Sequence, residues 1–463
     1  MLDIDAFHLP ADVYFAERML IASRDGVHVH APVLVPAAID AICAGLLRAA
    51  DTLRNMPADR IVAAIDSAAR RLGDDAVPRR HVLRSLTAIT GYAPAMAAHV
   101  LDRMCLDWQA PQLLLLLESE FGGADATRMF VPHAAAGARL RAFAPPLGFH
   151  VFSGNVPGVN VTSIVRALLV RSAVLGKSAA AEPVLAPVFA RLLSEADPAV
   201  GACVAVTCWT GGDEVREAAV MRHASLVVHY GGADAIASLR SRADPQVRFV
   251  EHGPRISFAI IDGAAPDHER AQAASDLARA VALFDQQGCV SPQLAYVLGT
   301  PADARSFAAR VAAAFDRIAL ELPRGRLDAG DAAAVREFRT RAEFAAIGGG
   351  DVELWAGSNM DYSVVYTANP QFEGTCLNRT LLVKPADSID EVVRRARPFS
   401  AFLQTVGIAG LDGGRLAAAA EHLAGIGATR ITPIPAMPWP PVTWHHDGRG
   451  PLTELVRWVD LEG

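Results

Sequence analysis

The sequence has no CxxC pair and no long apolar run, and these absences exclude several classes of protein. Six cysteines are scattered through 463 residues, so neither a zinc motif nor a disulfide framework is indicated. Arg166, Arg171 and Lys177 interrupt the most apolar region, and no stretch reaches the roughly 18 apolar residues that cross a bilayer. We therefore expect free thiols and no membrane span.

The chain also lacks a strong excess of one charge and a basic start. Its formal net charge is -7, and both signs are interspersed along the chain, which argues against a nucleic-acid surface. The first residues, Met-Leu-Asp-Ile-Asp, do not have the basic region that opens a signal peptide. We expect a soluble, cytoplasmic protein that binds no nucleic acid, and its length predicts two or three domains.

Strands alternate with helices through most of the chain after residue 145. Residues 1–145 show mainly a helical pattern, and residues 146–254 contain four short apolar runs separated by helical patterns. A second such series occupies residues 255–428. The alternation predicts an α/β fold with doubly wound parallel sheets. Residues 429–463 include a proline-rich stretch, 433–441, that is predicted to be rigid and non-helical.

One cysteine lies in a short polar loop between two strongly patterned elements. The loop from Asp285 to Gln293 follows a helical pattern that ends at Phe284. It precedes an apolar run, 294–298, that predicts a strand. Loops present side chains to substrates, so Cys289 is the candidate nucleophile. The alternative interpretation is an inert cysteine that packs as a small apolar residue.

A parallel sheet of this kind usually binds a nucleotide, yet the sequence has no GxGxxG motif. Gly231 and Gly232, between a strand and a helix, are the available substitute, because residues without a Cβ let a phosphate approach a helix N-terminus. Lys177, at the end of an apolar strand, fits a hydrogen-bond donor to ribose or phosphate. The alternatives are an ordinary turn and an ordinary surface lysine.

Three further polar residues could assist a nucleophile. Asn155 precedes a helix, where its amide could donate to a developing oxyanion, although asparagine also caps helices and forms turns. Glu251 and His252 follow an apolar strand, and either could be a general base or acid. We expect no metal at residues 445–447, His-His-Asp, because adjacent residues on a proline-rich loop rarely point at one ion.

The order of these residues resembles the aldehyde dehydrogenase superfamily. In that superfamily an oxyanion asparagine, a cofactor lysine, a glycine turn, a glutamate and a nucleophilic cysteine follow one another at similar intervals. The matching residues here are Asn155, Lys177, Gly231-Gly232, Glu251 and Cys289.

More narrowly, the chain resembles the acyl-CoA reductases related to the fatty-acid reductase of bacterial bioluminescence, the LuxC type. The resemblance covers roughly residues 146–463 and is weak before them. It is carried by residues 154–157, 251–257, 285–293, 376–380 and 444–448.

The resemblance implies an aldehyde dehydrogenase-like fold with assigned domains. Residues 146–254 would be the nucleotide-binding domain, and residues 255–428 the catalytic domain that carries Cys289. Residues 1–145 would be a helical region packed on the cofactor domain. Residues 429–463 would serve oligomerisation or line the acyl site.

The resemblance also implies a reaction. The Cys289 thiolate would attack an acyl thioester, Asn155 would help to hold the oxyanion, and hydride from a nicotinamide would yield an aldehyde. Either Glu251 or His252 would move protons. Relatives that prefer NAD commonly have a glutamate three residues beyond the lysine, where this chain has Ala180. We therefore expect NADPH as the cofactor, with NADH as the alternative.

The expected partners follow from the same resemblance. The acyl donor would be acyl-CoA or an acyl-carrier thioester, an acyl synthetase or transferase could act as a companion subunit, and the chain would form a homo-oligomer. Two other functions stay open: an NAD(P)-dependent dehydrogenase that oxidises aldehydes, and a non-reducing, acyl-carrying subunit of a multienzyme complex.

Overall fold

Two compact units make up the described part of the chain. The computed structural model describes residues 1–133 and 137–462. The C-terminal segment predicted as one piece, 429–463, is divided after Pro440 between the units. The first unit contains residues 1–90, 97–253 and 441–462, and the second contains residues 91–96 and 254–440.

Up to residue 253, three strands are followed by five consecutive helices, and strands alternate with helices from residue 147 onward. In α2, the buried residues Ile61, Ile65 and Leu72 recur at helical spacing, so this helix turns one apolar face inward. The helices are α1 Pro36–Asn55, α2 Ala58–Asp74, α3 Ala76–Thr90, α4 Pro94–Asp107, α5 Ala110–Phe121, α6 Val159–Leu169, α7 Leu185–Ala196, α8 Pro198–Gly201, α9 Glu214–Met221 and α10 Ala233–Arg242. The strands are β1 Leu2–Asp5, β2 Arg18–Arg24, β3 Val27–Pro32, β4 Val131–His133, β5 Ala138–Phe143, β6 Leu147–Val151, β7 Ala173–Ser178, β8 Val204–Cys208, β9 Leu226–Tyr230 and β10 Arg248–His252.

Five strands of the first unit form a parallel sheet with the order β10-β9-β6-β7-β8. Every residue of β6, β7, β8 and β9 is buried, which is typical of parallel strands covered on both faces. The chain winds outward from β6 through β7 and β8, then returns to add β9 and β10 on the other side of β6. In such sheets the ligand crevice lies at the carboxyl ends of the strands where the winding reverses, here beside β6 and β9.

The second unit contains a seven-stranded sheet with the order β13-β14-β15-β12-β11-β16-β17. Its strands are β11 Ile256–Asp262, β12 Pro292–Leu298, β13 Val352–Ala356, β14 Ser363–Thr367, β15 Thr380–Ala386, β16 Leu403–Ala409 and β17 Arg430–Pro433. Its helices are α11 Asp267–Ala282, α12 Pro301–Glu321, α13 Ala329–Ile347, α14 Ile389–Ala396 and α15 Gly413–Ala424. β13 pairs antiparallel with β14, and the other neighbouring strands are parallel. Within the described ranges, no helix has both the length and the apolarity to cross a membrane.

The region 1–145, predicted as mainly helical, contains five strands besides its helices within residues 1–133 and 137–145. β1, β3 and β2 form one small sheet, and β5 pairs with β4 and with the last strand, β18 Arg457–Leu461. His8 exchanges backbone hydrogen bonds with Val206 of β8. The Trp108 indole donates to the Thr162 hydroxyl at 3.0 Å. These contacts join the N-terminal region to the parallel sheet and to α6.

A short 3₁₀ helix, Ile434–Ala436, lies within the proline-rich stretch, where the sequence pattern predicts no helix. A proline in the first turn of a helix is tolerated because the N–H that it lacks would have no partner there. The non-helical prediction for residues 433–441 is therefore wrong for 434–436.

Two runs of left-handed backbone are linked to the Cys289 loop. The first, residues 284–286, lies just before Cys289 in the sequence, and the second, residues 377–379, pairs with the first. Phe284, Asp285 and Gln286 have φ angles of 58°, 48° and 68°, and residues 377–379 have φ angles of 61°, 58° and 61°. This conformation costs an L residue roughly 1–2 kcal/mol. Such strained residues persist only where the surrounding structure holds them.

A buried ion pair holds the two runs together. Arg379 Nε donates to Asp285 Oδ1 at 2.7 Å, and Arg379 Nη1 donates to the Leu322 carbonyl at 3.0 Å. The Arg379 side chain is 1% exposed. Next to it, Gln286 Nε2 donates to the Thr380 carbonyl at 2.7 Å, and Thr380 N donates to Gln286 Oε1 at 2.8 Å. The Gln286 amide thus pairs with Thr380 as a neighbouring peptide group would.

We expect Asp285→Asn to lower the free energy of unfolding by about 3–5 kcal/mol, because it leaves the buried Arg379 charge without its anion. Urea unfolding of the whole protein, followed by circular dichroism, measures the change. The double variant Asp285→Asn/Arg379→Met removes both charges and should recover part of the loss. Equal losses in the two variants would show that shape, rather than the ion pair, holds the runs.

Candidate active site

Three candidate residues of the first unit lie at the carboxyl edge of its parallel sheet. Lys177 is the penultimate residue of β7, Gly231 follows β9 directly, and Asn155 lies in the turn after β6. The carboxyl ends of parallel strands share one edge of a sheet. The structure therefore brings these residues to the edge where a doubly wound fold binds its ligand.

The strand register places a row of polar side chains on one face near this edge. Lys177 in β7 pairs laterally with Thr207 in β8 and with Val151 in β6. Val151 pairs in turn with His229 in β9, and His229 pairs with Glu251 in β10. Lateral neighbours in a sheet point to the same face, so the four polar residues share one face.

Several buried polar atoms at this edge have no hydrogen-bond partner among the described residues. They are Ser178 Oγ, Thr207 Oγ1, Trp209 Nε1 and His229 Nδ1. Buried polar atoms are normally paired, so this group fits a polar ligand such as a dinucleotide. None of the four was predicted from the sequence, although each lies at or just after the end of an apolar strand.

Lys177 and His229 give the edge different kinds of donor. Burial lowers the pKa of Lys177 below its ordinary value, and its Nζ lies 5.9 Å from the centroid of the Trp209 ring. Burial and, next, the charge of Lys177 lower the pKa of His229 to about 4. His229 is therefore neutral at pH 7 and can either donate or accept a hydrogen bond.

The glycine pair after β9 is constrained at one position and open at the other. A Cβ on Gly231 would lie 2.9 Å from His229 Cε1, so a larger residue would displace that ring. Gly232 has a φ of -69°, caps α10 without a side chain, and would place a Cβ where no atom lies within 4 Å. Neither the backbone nor the neighbours demand glycine at 232, which fits close approach of a phosphate to the helix N-terminus.

Asn155 is exposed in the turn that joins β6 to α6. The N-cap of α6 is Gly158, with a φ of 99°, so helix capping does not describe the position of Asn155. Gly154 lets this turn pack closely, because an added Cβ would lie 2.7 Å from the Cβ of Ala181. The backbone beneath Asn155 is therefore held, while its side chain lies at the surface of the first unit.

Glu251 and His252 have very different environments, because adjacent residues of a strand point to opposite faces. Glu251 is 42% exposed and forms an ion pair with Arg240 at 2.9 Å. The His252 side chain is 4% exposed. Glu251 therefore shares the face of the polar row, and His252 lies on the other.

His252 is enclosed on all sides. Its Nδ1 lies 2.9 Å from Asp447 Oδ2, and its Nε2 lies 3.7 Å from Glu454 Oε1. The ring stacks between Tyr230 at 4.5 Å and His446 at 4.4 Å, measured between centroids. A carboxylate faces each ring nitrogen, so the surroundings favour a structural role over acid/base catalysis.

The same cluster contains donor atoms that could in principle hold a metal. His252, His446 and Asp447 each place one such atom within 4.8 Å of the others. However, the two imidazole rings are only 8° from parallel. Imidazole binds metals through lone pairs in the ring plane, and the in-plane lone pairs of stacked rings do not converge. Ring stacking thus accounts for their proximity.

Cys289 lies in the second unit, in a tight turn before β12, and is half-buried. Ser291 N donates to the Gly288 carbonyl at 2.9 Å. The Ser257 hydroxyl donates to the Cys289 carbonyl at 2.7 Å and accepts from Thr405 N at 3.2 Å. Two neighbouring strands, β11 and β16, therefore fix the backbone that presents the thiol.

The other cysteines are less suited to act as nucleophiles. Cys376 is half-buried, burial raises its pKa, and its Sγ lies 3.6 Å from Thr380 Oγ1. Burial raises the pKa of three further thiols to about 12; these are Cys43, Cys105 and Cys203. Burial also raises the pKa of Cys208.

Arg430, which was not predicted from the sequence, supplies positive charge near Cys289. Its Nη1 donates to the Met437 carbonyl at 2.8 Å, and its Nη2 donates to the Ala436 carbonyl at 2.6 Å. Burial lowers the pKa of Arg430 to about 10, and interaction with the Cys289 thiolate opposes this shift. Arg430 is thus cationic at neutral pH, and a nearby cation favours the reactive thiolate form of a cysteine.

Comparison with known sequences gives one family over most of the chain. The acyl-CoA reductase (LuxC) family matches residues 53–458. A long-chain acyl-protein thioester reductase of Photorhabdus luminescens is 26% identical over 404 residues, which are 83% of this chain and 78% of that protein. The reductase of the same name in Aliivibrio fischeri is 26% identical over 393 residues, with the same two shares.

Comparison with solved structures gives the aldehyde dehydrogenase fold. Aldehyde dehydrogenase 21 of Physcomitrella patens is similar with a TM-score of 0.79 and 14% identity, covering 99% of this chain and 98% of that one. The NADP-dependent glyceraldehyde-3-phosphate dehydrogenase of Bacillus halodurans, solved with NADP, has a TM-score of 0.74 and 14% identity over 96% of each chain. The predicted fold class is confirmed.

We expect Arg430→Gln to slow alkylation of Cys289 by iodoacetamide at pH 7 about tenfold, the effect of one pH unit on the thiolate fraction. Mass spectrometry of the labelled peptide gives the rate at this residue alone. Arg430→Lys keeps the charge and should react at a rate closer to that of the wild type. An unchanged rate in folded Arg430→Gln would limit Arg430 to anchoring the carbonyls of residues 436 and 437.

Proposed function

Because the chain belongs to the acyl-CoA reductase (LuxC) family, we propose that it reduces a long-chain acyl thioester to the aldehyde through an acyl group carried on Cys289. The observation that carries the proposal is the half-buried Cys289 turn, held by Ser257 and close to the cationic Arg430. The names of the relatives point to a protein-bound acyl donor, and acyl-CoA is the second candidate donor.

The proposed first step is transfer of the acyl group to the enzyme. The Cys289 thiolate attacks the thioester carbonyl carbon, and the carbonyl oxygen becomes an oxyanion. Collapse of this adduct breaks the bond to the donor sulfur, which leaves as a thiol after it takes up a proton. The resemblance assigns Asn155 to donate its side-chain N–H to the oxyanion.

A reduced nicotinamide, when bound, supplies the hydride for the second step. Addition of this hydride to the acyl carbonyl carbon would give the alkoxide form of a thiohemiacetal on Cys289. Its collapse releases the aldehyde and restores the thiolate. No water attacks the acyl group in this sequence, so a general base at Glu251 is not needed to activate one. The Glu251 side chain instead forms an ion pair with Arg240.

The residues proposed to hold the cofactor are Lys177, Gly231 and Gly232, together with the unpartnered polar atoms at the same edge. The preference for NADPH is supported by the segment after Lys177. Ala180 is exposed. The next acid, Glu182, is fully buried and accepts from Val184 N at 2.9 Å and Leu185 N at 2.8 Å. No carboxylate of this segment therefore reaches the surface to repel a 2′-phosphate.

Cys289→Ala should abolish both covalent acylation and oxidation of NADPH with long-chain acyl-CoA or an acylated carrier protein. Cys376→Ala, which removes the other half-buried thiol, should retain both. Absorbance at 340 nm follows the reduction, and intact-mass spectrometry detects the acyl-enzyme. Aldehyde formation by folded Cys289→Ala would remove this residue from the mechanism. Acylation of the wild type with no reduction under any condition would instead favour a non-reducing acyl carrier.

Asn155→Ala should lower the rate of acylation by about 10² to 10³, the usual effect of removing one oxyanion donor. Acylation reactions that are quenched at set times and analysed by mass spectrometry give the rate of this step separately from that of the reduction. Since Asn155 is exposed, its replacement should leave the melting temperature close to that of the wild type. An unchanged acylation rate would return Asn155 to a role in the turn.

Ala180→Glu should weaken NADPH binding by tenfold or more and shift the preference toward NADH, because the new carboxylate would repel a 2′-phosphate. Ala180→Gln is the matched control, because glutamine has nearly the size of glutamate but no charge. It should change the ratio of kcat/KM for NADPH and NADH little. The ratio of kcat/KM for the two cofactors measures the shift. A ratio that is equal in both variants would place the 2′-phosphate elsewhere.

A further inference from the structure

Arg171 carries a buried charge that no described residue neutralises by hydrogen bonding. It lies in the turn between α6 and β7 with a φ of 68° and is 5% exposed. Its Nε, Nη1 and Nη2 are all buried without a hydrogen-bond partner among the described residues. A guanidinium offers five N–H donors and stays charged in proteins. Leaving such a group dry and unpaired is strongly unfavourable.

The charges around Arg171 have mainly the same sign. Burial, followed by the charges of Arg128 and Arg141, lowers the pKa of Arg171 to about 10, and Asp125 acts in the opposite direction. Asp125 also lies 3.7 Å from Arg128, so its charge is shared. The three arginines therefore exceed the neighbouring acid by two positive charges.

Arg141 repeats the anomaly on the neighbouring strand β5. Its Nε is buried without a hydrogen-bond partner among the described residues, and its Cζ lies 4.4 Å from the centroid of the Phe143 ring. Burial lowers the pKa of Arg141 as well. Two arginines with unsatisfied donors thus lie within reach of each other's charge, and no described carboxylate forms an ion pair with either of them.

The C-terminus of α6 offers only partial compensation. α6 ends at Leu169, and the last carbonyls of a helix carry partial negative charge. No side-chain nitrogen of Arg171 forms a hydrogen bond with them at the distances and angles of a normal bond. Within the described part of the chain, the side-chain donors of Arg171 therefore still lack acceptors.

We propose that Arg171, Arg141 and Arg128 form a binding site for an oxyanion of the phosphate class. A tetrahedral dianion brings four acceptor oxygens and two negative charges on one small group. These match the several unpaired donors and the excess of two positive charges. A single carboxylate, with two oxygens and one negative charge, would leave some of the donors unpaired and one positive charge unbalanced.

This site is distinct from the proposed cofactor crevice. Arg171 precedes the amino end of β7, whereas Lys177 lies at its carboxyl end. At roughly 3.3 Å per residue, the strand from Ala173 to Lys177 alone spans about 13 Å. The site would therefore bind its anion independently of the reaction at Cys289, and it rests on none of the proposed catalytic roles.

Thermal unfolding in inorganic phosphate, against chloride at equal ionic strength, tests the proposal. Phosphate at 10 mM should raise the melting temperature of the wild type by a few degrees. Arg171→Gln should abolish the rise, and in chloride it should unfold no earlier than the wild type, because it removes a buried unpaired charge. Arg141→Gln should weaken the rise and serves as the second variant if Arg171→Gln does not fold.

Lys177→Gln is the control for phosphate bound in the cofactor crevice, and it should keep the rise. A rise that survives in Arg171→Gln but is lost in Lys177→Gln would overturn the proposal in favour of the crevice. The absence of any rise in the wild type up to 50 mM phosphate would also overturn it. So would dissociation of an oligomer in Arg171→Gln, seen by analytical ultracentrifugation without a phosphate effect, because a carboxylate of a second copy would then be the partner.

Discussion

The buried ion pair between Asp285 and Arg379 is the interaction on which the geometry of the Cys289 turn depends. Phe284, Asp285 and Gln286 adopt left-handed backbone, which L residues resist. The cost is offset because the Arg379 guanidinium and the Gln286 amide find acceptors and donors on the facing segment. A backbone fixed in this way enters the turn of Cys289 in one conformation, so the thiol is presented without a further ordering cost.

In the first unit, the buried polar atoms that lack a hydrogen-bond partner among the described residues include a group at the carboxyl ends of the parallel strands, where such folds bind ligands. Thr207 and His229 have buried polar atoms without a hydrogen-bond partner among the residues that the structure describes, while the strands that carry them are otherwise apolar and closely packed. Real proteins break local rules of polar satisfaction mainly at functional sites. Arg171, just before the amino end of β7, also has buried donors without a partner among the described residues. For the same physical reason we propose a ligand at both ends of the sheet.

The sequence predicted some residues of the site well because their signals are local. Cys289 follows a helix and precedes a strand, and Lys177 ends an apolar run, so both positions could be read from short windows. His252 and Glu251 could not be distinguished in that way. Their difference arises because strand alternation turns one toward the Arg240 side and the other into the enclosure formed with Asp447, residues far apart in the chain.

Arg430 and the row of polar side chains show the same limit. Nothing near Arg430 in the sequence reveals a thiol, because β17 reaches the neighbourhood of Cys289 only through the pairing of distant strands. The sequence by itself determined the α/β class, the alternation of strands and helices, and the family, since these depend on apolar periodicity and on short motifs. Tertiary structure alone decided which side chains share a face, which charges are buried and which donors lack acceptors, because register and burial depend on contacts between residues that the chain keeps far apart.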